Sequence, residues 1–380
     1  MIMKHFNYIA KALFLVLILM YSCGNPAGDN EPNNTIEEAS DAKFGEEFLL
    51  TIDPVGDVDW FKVNVKKQGY IQVQTANKVK DVQLEVSFAK YQEWDEKKAK
   101  RIRGWRPVPD ALFVQEPGNY YLALKDEWDD GASQEEFLVK IDFLDEFDPT
   151  EPNNKIEEAK LITFDEQLLA GIYPVGDKDW FKVNVPAQGY IEIAAKNVSN
   201  AIQPEVRFAI YDEWSDPQIK IIRDWGEIPE ACFVPDSGEY YIVMHDAWDD
   251  NAIAQAFDFK VNYIPEFDLF EPNNSVQNAK FIEQGSTHEI AIFPKGDKDY
   301  FKFVAPNENV KVFVKDHKGV QPEMKLLSKD SENEEKYITT IDWTKLPAEI
   351  DVEKDKEYFL IIHDAWDDNA SKELFQLKVE

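Results

Sequence analysis

Apolar and polar residues alternate along short runs throughout this 380-residue chain. In the run 61–65, apolar side chains occupy every second position, and the run 181–185 repeats the alternation. Further apolar runs lie at 71–73, 84–88, 112–114, 121–124 and 137–141. Glycine, proline, asparagine and aspartate separate these runs, which is typical of antiparallel β-sandwiches. The pattern therefore predicts an all-β, jelly-roll-like fold.

Three phrases recur along the chain at intervals close to 120 residues. The first is Glu-Pro-Asn-Asn, at Glu31–Asn34, Glu151–Asn154 and Glu271–Asn274. The second is an Asp-x-Asp followed by two aromatic residues, at Gly56–Phe61, Gly176–Phe181 and Gly296–Phe301. The third is Asp-x-Trp-Asp-Asp, at Asp126–Asp130, Asp246–Asp250 and Asp364–Asp368. One module is thus used three times, which predicts three tandem antiparallel β-sandwich domains.

The predicted boundaries follow from this period. Residues 1–22 form a signal peptide and 23–28 a lipidated tether; the domains are 29–145 (copy 1), 146–265 (copy 2) and 266–380 (copy 3). The connections 146–150 and 266–270 lack the Gly/Ser richness of flexible tethers, so we expect restricted hinges. One short helix is predicted after each Asn-Asn, as in 35–39 and 155–159, with an asparagine as its cap.

The N-terminal segment has the pattern of an export signal. Lys4 and Lys11 give a basic start, and ten apolar residues, 12–21, are too few to span a bilayer. The sequence Ser22-Cys23-Gly24 follows, and the segment resembles a bacterial lipoprotein signal. That resemblance implies lipidation of Cys23 and a bacterial membrane lipoprotein, facing the periplasm or on the cell surface. The alternative is an ordinary cleaved signal with an incidental cysteine.

The charge of the chain narrows the partners it can have. The formal net charge is −32, and removal of residues 1–22 leaves 39 Lys+Arg against 73 Asp+Glu, or −34. Such a chain repels nucleic acid and anionic lipid and attracts divalent cations and basic partners. Contact with a membrane is therefore expected through the lipid anchor only. With 44% apolar residues the chain can build cores, and Cys232, aligned with Leu112 and Ile350, is expected to be buried.

The phrases carry a family resemblance. Glu-Pro-Asn-Asn, a later alanine, Gly-Asp-x-Asp-Trp-Phe-x-Val and a closing Gly-x-Tyr-Tyr-Leu phrase together resemble the bacterial pre-peptidase C-terminal (PPC) domain. The closing phrase stands at 118–122 and 238–242, whereas copy 3 has Lys-Glu-Tyr-Phe-Leu at 356–360. The resemblance implies β-sandwich modules of the kind appended to secreted peptidases. It also implies similarity to the collagen-binding domains of bacterial collagenases, which bind calcium at their N-terminal segment.

The resemblance implies a calcium site where the first two phrases meet. Calcium prefers six to eight oxygen ligands from carboxylates, amides and backbone. The candidate ligands are Glu31, Asn33, Asn34, Asp57 and Asp59, then Glu151, Asn153, Asn154, Asp177 and Asp179, then Glu271, Asn273, Asn274, Asp297 and Asp299. Relatives often have aspartate as the fourth residue of the phrase and an acid two residues before it. Here the fourth residue is asparagine in every copy, and only copy 1 has the acid two residues before the phrase, Asp29. Copies 2 and 3 have Asp148 and Asp268 three residues before it. The low number of charges at the site implies modest affinity. The alternative is an asparagine-capped turn, hydrogen-bonded to the aspartate pair without metal.

The third phrase is a candidate second cation or ligand loop. Its residues are Asp126, Trp128, Asp129 and Asp130, with Asp246, Trp248, Asp249 and Asp250, and Asp364, Trp366, Asp367 and Asp368. Their spacing differs from that of an EF-hand loop, and a solvated acidic turn is the alternative. Each tryptophan could plug the end of a sandwich or serve as an exposed anchor.

No motif of a hydrolase or a phosphate-binding loop occurs in the sequence, so an enzyme is not expected. The leading hypothesis is a bacterial cell-envelope lipoprotein of three calcium-stabilised binding modules for an unidentified extracellular or periplasmic glycan or protein. The rivals are a passive structural spacer and an undetected hydrolase. Exposed tryptophans would favour binding, whereas buried ones would favour the spacer.

Overall fold

The computed structural model describes residues 31–380 except 95, 216–217, 318 and 330–334. The predicted signal peptide 1–22, the tether 23–28, the lipidation site Cys23 and Asp29 lie outside the described residues. Within the described part, no helix has the length and apolar character needed to cross a membrane.

Copy 1 is built from strands β1 (Ser40–Asp41), β2 (Glu47–Ile52), β3 (Val58–Val65), β4 (Gly69–Thr75), β5 (Leu84–Tyr91), β6 (Ala99–Pro107), β7 (Asp110–Val114), β8 (Gly118–Asp126) and β9 (Ser133–Asp145). They form a five-stranded sheet in the order β1-β3-β8-β5-β6 and a four-stranded sheet in the order β2-β9-β4-β7. All these neighbours are antiparallel except β1 and β3, which are parallel.

Copy 2 repeats this plan with β10 (Lys160–Leu161), β11 (Gln167–Ala170), β12 (Asp179–Val185), β13 (Gly189–Lys196), β14 (Pro204–Tyr211), β15 (Ile219–Glu227), β16 (Glu230–Val234), β17 (Gly238–Asp246) and β18 (Phe257–Pro265). Its sheets have the orders β10-β12-β17-β14-β15 and β11-β18-β13-β16.

Copy 3 has β19 (Lys280–Phe281), β20 (Thr287–Ile290), β21 (Lys298–Val304), β22 (Asn309–Lys315), β23 (Pro322–Lys329), β24 (Glu335–Ile341), β25 (Ala348–Asp351), β26 (Glu357–Asp364) and β27 (Phe375–Val379). Its sheets have the orders β19-β21-β26-β23-β24 and β20-β27-β22-β25. The three pairs of sheets confirm the predicted all-β class with three antiparallel sandwiches.

The core of each copy lies between its two sheets, and the alternation of the sequence sets which side chains enter it. Phe61, Val63 and Val65 of β3 are buried, whereas Lys62 and Asn64 face outward. Phe181 and Phe301 occupy the position equivalent to Phe61, and both are fully buried. Truncating such a core phenylalanine to alanine costs about 3–5 kcal/mol.

Cys232 belongs to the core, as predicted. It pairs across the sheet with Ile191, and burial raises the pKa of its thiol to about 12. A thiol in that state behaves as a small apolar side chain.

The sequence did not predict β6 and its counterpart β15. Residues 99–107 have an exposed-rich pattern because β6 is an edge strand that buries few side chains. Without a buried face there is no selection for period-two apolar residues, so the usual signal of a strand is absent.

The predicted helix after each Asn-Asn is one turn of 3₁₀ helix in copies 2 and 3, at Ile156–Glu158 and Val276–Asn278. In copy 1 the prediction is wrong, because residues 35–38 form a turn without a helix. The predicted asparagine cap is wrong. The N-cap positions are Lys155, which makes no side-chain cap bond, and Ser275, whose hydroxyl accepts from the Asn278 amide. The side chain of the asparagine before each N-cap donates to the glutamate of its own phrase instead.

The chain divides into two compact units, one ending at Phe147 and the other Asp148–Glu380. The division between the two units lies close to the predicted boundary between copies 1 and 2. Copies 2 and 3 share the second unit, where the rings of Tyr190 and Phe293 meet edge to face at 4.9 Å and Arg223 donates to the Lys295 carbonyl at 2.7 Å. Independent folding of the three copies stays a prediction.

Candidate metal centre and tryptophan loops

The structure brings the Glu-Pro-Asn-Asn segment against the strand that carries the aspartate pair. The Trp60 amide donates to the Asn33 carbonyl at 2.8 Å. The equivalent bonds in copies 2 and 3, from Trp180 to the Asn153 carbonyl and from Tyr300 to the Asn273 carbonyl, measure 2.7 and 2.8 Å. The segment that enters each copy is therefore fastened beside its Asp-x-Asp sequence.

A glycine turn aims the first aspartate of the pair. Gly56 has a φ of +82°, in the left-handed region that favours glycine, and Gly176 and Gly296 have nearly the same value. The turn lets Asp57 Oδ2 accept from the Asp53 amide at 3.1 Å. The second aspartate follows two residues later, and in copy 1 it lies on the inward face of β3 with Phe61 and Val63.

The glutamate of each phrase forms hydrogen bonds within its own Glu-Pro-Asn-Asn segment. In copies 1, 2 and 3 its Oε2 accepts from the backbone amide of the first asparagine at 3.0, 3.2 and 3.1 Å. The same oxygen accepts from the side-chain nitrogen of the second asparagine: Asn34, Asn154 and Asn274. These three asparagines are exposed, so the structure places them at the rim as donors to the glutamate rather than inside the buried cluster.

The carboxylates of the two stretches converge. One oxygen each from Glu31, Asp57 and Asp59 lie within 4.8 Å of one another, as do oxygens of Glu271, Asp297 and Asp299. Ligands at 2.3–2.6 Å from a calcium ion lie up to about 5 Å apart across it. In each of these two copies, the spacing therefore fits one cation bound by all three carboxylates.

The second aspartates of copies 2 and 3 lie deep in the protein. Asp179 and Asp299 are almost fully buried, and neither oxygen of either carboxylate accepts a hydrogen bond of ordinary geometry within the described residues. Burial raises the pKa of both groups well above its usual range, and neighbouring carboxylates add to the rise. The side-chain amides of Asn153 and Asn273 oppose this rise only in part. Buried carboxylates in this state require a bound proton or a cation.

The other acids of the same clusters have raised pKa values for the same reason. Burial, together with neighbouring carboxylates, raises the pKa of Glu151 to about 7 and that of Glu271 to about 8. Burial likewise raises the pKa of Asp297 to about 7. The donors that the candidate ligands offer to an ion are carboxylate and amide oxygens, a set that suits hard cations such as calcium.

Asp148 and Asp268 also belong to these clusters, although the predicted ligand set does not include them. Asp148 Oδ2 accepts from the Gly171 amide at 2.6 Å, and Asp268 Oδ2 accepts from the Ala291 amide at 2.7 Å. Their negative charges help to raise the pKa values of Asp179 and Asp299. Their sequence signal is an acid three residues before the phrase in copies 2 and 3, displaced by one from the position usual in relatives.

In the Asp-x-Trp-Asp-Asp loops, the first aspartate of each is buried and organises the turn. Asp126 Oδ1 accepts from the Gln83 amide at 2.8 Å, and its Oδ2 accepts from the Gly131 amide at 3.0 Å. Asp246 and Asp364 accept from Gln203 and Gln321 at 2.8 and 2.7 Å. Burial acts to raise the pKa values of Asp126 and Asp364, but backbone amides outweigh it and lower both.

The middle aspartate of each loop has a basic neighbour. Asp129, Asp249 and Asp367 have positive φ values of 54°, 51° and 53°. They lie 2.8, 2.8 and 3.3 Å from nitrogens of Lys125, His245 and His363, respectively. The last aspartates, Asp130, Asp250 and Asp368, are exposed. Because protein groups already occupy the first two carboxylates of each loop, these contacts favour the interpretation as a solvated acidic turn over that as a second cation site.

The tryptophans of these loops point into solvent. Trp128, Trp248 and Trp366 are 67%, 78% and 76% exposed. Trp94 and Trp214, in the turns after β5 and β14, are more exposed still, at 90% and 89%. The tryptophan at the end of each sandwich is therefore a surface side chain and not a plug.

Comparisons with known proteins add little. No protein-family model matches the sequence, and no curated protein matches it. A triple-jelly-roll protein of an archaeal virus turret is similar at 10% identity, with 87% of this chain and 83% of that chain covered and a TM-score of 0.17. The CBM22-1–CBM22-2 tandem of Paenibacillus barcinonensis Xyn10C is 10% identical, with 64% and 100% covered and a TM-score of 0.19. The M60 catalytic domain with CBM51-1 and CBM51-2 of Clostridium perfringens ZmpB is 10% identical, with 89% and 34% covered and a TM-score of 0.17. Similarity this low carries no argument about function.

Proposed function

We propose that the chain is an exported bacterial cell-envelope lipoprotein whose three β-sandwiches are calcium-stabilised binding modules for a glycan or a surface or matrix protein. The observation that carries this proposal is the exposed tryptophan at the same loop of every copy. A large indole in solvent, repeated on each module, is a feature of recognition surfaces, because aromatic anchors supply contact area at low entropic cost.

The attachment of the loop supports a binding role. A buried aspartate fixes the backbone of each loop. It accepts hydrogen bonds from backbone amides of the neighbouring loop and of its own turn. The indole therefore projects from a turn with a defined backbone. Such preorganisation reduces the entropy lost when a ligand binds. A passive spacer would have no use for a fixed, exposed tryptophan in each module.

Calcium is the proposed structural cofactor. The converging carboxylates of copies 1 and 3, which include Asp59 and Asp299, have the oxygen chemistry and the spacing that a calcium ion needs. Copy 2 has the same residue types at the equivalent positions, and its Asp179 is buried. Each cluster joins the segment that enters a copy to the first long strand of the five-stranded sheet. An ion there would bind only the folded state and would therefore stabilise it.

Export and anchoring complete the proposal. The basic start, the ten-residue apolar run and Ser22-Cys23-Gly24 support lipidation of Cys23. The three phrases support kinship with PPC domains, which fits a module that binds rather than cleaves.

The proposal is tested by probing glycan and matrix-protein arrays with the purified mature chain. We expect defined binding in calcium, and loss of most of the signal in the triple variant Trp128→Ala, Trp248→Ala, Trp366→Ala. The double variant Trp94→Ala, Trp214→Ala is the matched control, because it removes indoles that are even more exposed from other turns. Equal signals from the triple variant and the wild type would contradict the proposed site. Absence of any array binding would favour the structural spacer.

A further inference from the structure

Copy 1 has a pocket beside its tryptophan loop. The cavity measures about 470 Å³ and lies between the loop joining β4 to β5, the turn joining β6 to β7, and the loop after β8. Its floor includes the buried side chains of Val79, Val82 and Phe137, and Trp128 stands at its rim. The volume falls within the range of about 300–1,000 Å³ that is typical of ligand pockets.

The walls of this pocket are fastened to each other. Asp126 Oδ1 accepts from the Gln83 amide, and the Glu127 amide donates to the Gln83 carbonyl at 2.8 Å. Gly131 lies so close to the facing loop that a Cβ atom there would be 2.2 Å from the Asp81 carbonyl oxygen. The pocket is therefore preformed and does not depend on closure around a ligand.

The polar lining of the pocket is strongly acidic. Asp81, Asp126, Glu127 and Asp130 contribute carboxylates, against the single ammonium of Lys78. Asp126 is occupied by backbone amides, and Lys80 approaches Asp81 at 3.6 Å. Glu127 directly precedes Trp128, and Asp130 follows it by two residues, so carboxylates and an indole line the same opening.

We propose that this pocket binds a basic side chain, arginine or lysine, presented by a polypeptide partner. A guanidinium or ammonium group gains from the face of an indole and from carboxylates at the same time, and the planar guanidinium can engage a carboxylate with two hydrogen bonds. The apolar floor accommodates the aliphatic part of such a side chain. The net charge of −32 attracts a basic partner over a longer range. This inference rests on the proposed binding role of the tryptophan loops and names the ligand class for copy 1.

The test uses the full mature chain carrying Trp248→Ala and Trp366→Ala, so that Trp128 is the remaining tryptophan of the three loops. The probe is a fluorescein-labelled octa-arginine peptide, followed by fluorescence anisotropy in calcium. We expect Trp128→Ala and Glu127→Gln each to weaken binding by about tenfold. Lys78→Ala should strengthen binding, because it removes the like charge, and added sodium chloride should weaken it. Trp94→Ala should leave the affinity unchanged.

A peptide that binds equally well to the parent, Trp128→Ala and Glu127→Gln chains would reveal general attraction to an acidic surface and would overturn the pocket assignment. If neutral oligosaccharides bind in a Trp128-dependent manner and the peptide does not, the ligand class is wrong while the proposed binding function survives. If neither probe binds and the array signals are also independent of the three loop tryptophans, both the inference and the proposed function fail. All six substituted side chains are exposed or half-buried, so the variants should fold.

Discussion

At the scale of single residues, the least expected feature is the buried aspartate at the start of each first long sandwich strand. Asp179 and Asp299 have fully buried carboxylates with raised pKa values and no hydrogen bond of ordinary geometry within the described residues. A buried, ionised carboxylate without compensation costs several kcal/mol. The proposed calcium ion would supply the missing compensation, and a bound proton would compete with it.

Asp179→Asn distinguishes these two possibilities. We expect calcium to raise the melting temperature of the wild type relative to EDTA, and to raise it more than magnesium does, because the larger ion suits a flexible oxygen cage. At ~1 mM calcium and a dissociation constant of ~10 μM, the gain in free energy of unfolding is about 2.7 kcal/mol per site. If the dissociation constant is ~1 mM, the gain falls below about 0.5 kcal/mol per site. Asp179→Asn should remove the share of copy 2. In EDTA it should not destabilise the protein, because a neutral amide then replaces a carboxyl group whose raised pKa favours the protonated, neutral form.

The control for this measurement is Asp250→Asn, which neutralises an exposed aspartate in the same copy.

The pH dependence of stability gives a second check of the metal site. The folded-state pKa values of Glu151 and Glu271, about 7 and about 8, exceed their ordinary values. In EDTA the folded state therefore holds protons that the unfolded state releases, and stability should fall as pH rises from about 4.5 to 8. Calcium binds the deprotonated groups and should reduce that fall. Identical melts with EDTA, magnesium and calcium would leave the metal-free turn as the interpretation.

At the scale of elements, the residues of each Asp-x-Trp-Asp-Asp loop have different environments and contacts. The first aspartate is a buried acceptor of backbone amides, the middle one pairs with a basic side chain at positive φ, and the tryptophan is presented to solvent. A loop of like sequence in each copy thus has a structural carboxylate and a solvent-exposed tryptophan only two residues apart.

Asp246→Ala tests the structural half of this division. Asp246 is buried and accepts from the Gln203 amide at 2.8 Å and the Asn251 amide at 3.2 Å. Its removal leaves these amides without their charged acceptor and should lower the free energy of unfolding by about 2 kcal/mol. Asp250→Ala, at the exposed end of the same loop, should change it by less than about 0.5 kcal/mol. Urea unfolding followed by circular dichroism measures both; equal effects of the two variants would show that burial of Asp246 has no structural role.

At the scale of the whole molecule, the chain carries three tryptophan loops and a proposed lipid anchor. Several weak sites on one chain give an overall affinity well above that of each site, provided that one partner can reach more than one of them. An anchor at the N-terminus would hold all three modules near a membrane without a spanning helix.

The anchor is tested by Cys23→Ala. The motive is the signal-like segment that ends at Ser22-Cys23-Gly24. We expect the wild type in the detergent-extracted membrane fraction, because a lipidated N-terminus partitions into the bilayer, and the variant in the soluble fraction. Detection by immunoblot after fractionation is sufficient. A variant that stays with the membrane as the wild type does would rule out lipidation at Cys23 as the anchor.

The sequence by itself determined the class of fold and its repetition. A strand with one buried face must place apolar side chains at every second position, so the spacing of Phe61, Val63 and Val65 is sufficient to predict β3. The same rule explains why β6 could not be predicted: it buries few side chains and therefore lacks the alternation. Local chemistry also identified the candidate functional residues, because carboxylates and tryptophans are recognisable from their residue type alone.

Only the tertiary structure decided how those residues are placed and which groups they contact. The distance between Glu31 and Asp59 depends on a backbone bond from Trp60 to Asn33, which no local pattern encodes. The same structure turned the second asparagine of each phrase toward a glutamate, added Asp148 and Asp268 to the clusters, and separated buried Asp126 from exposed Trp128. The reason is physical: burial, hydrogen-bond partners and pKa shifts are properties of residues brought together by folding, whereas alternation is a property of the chain alone.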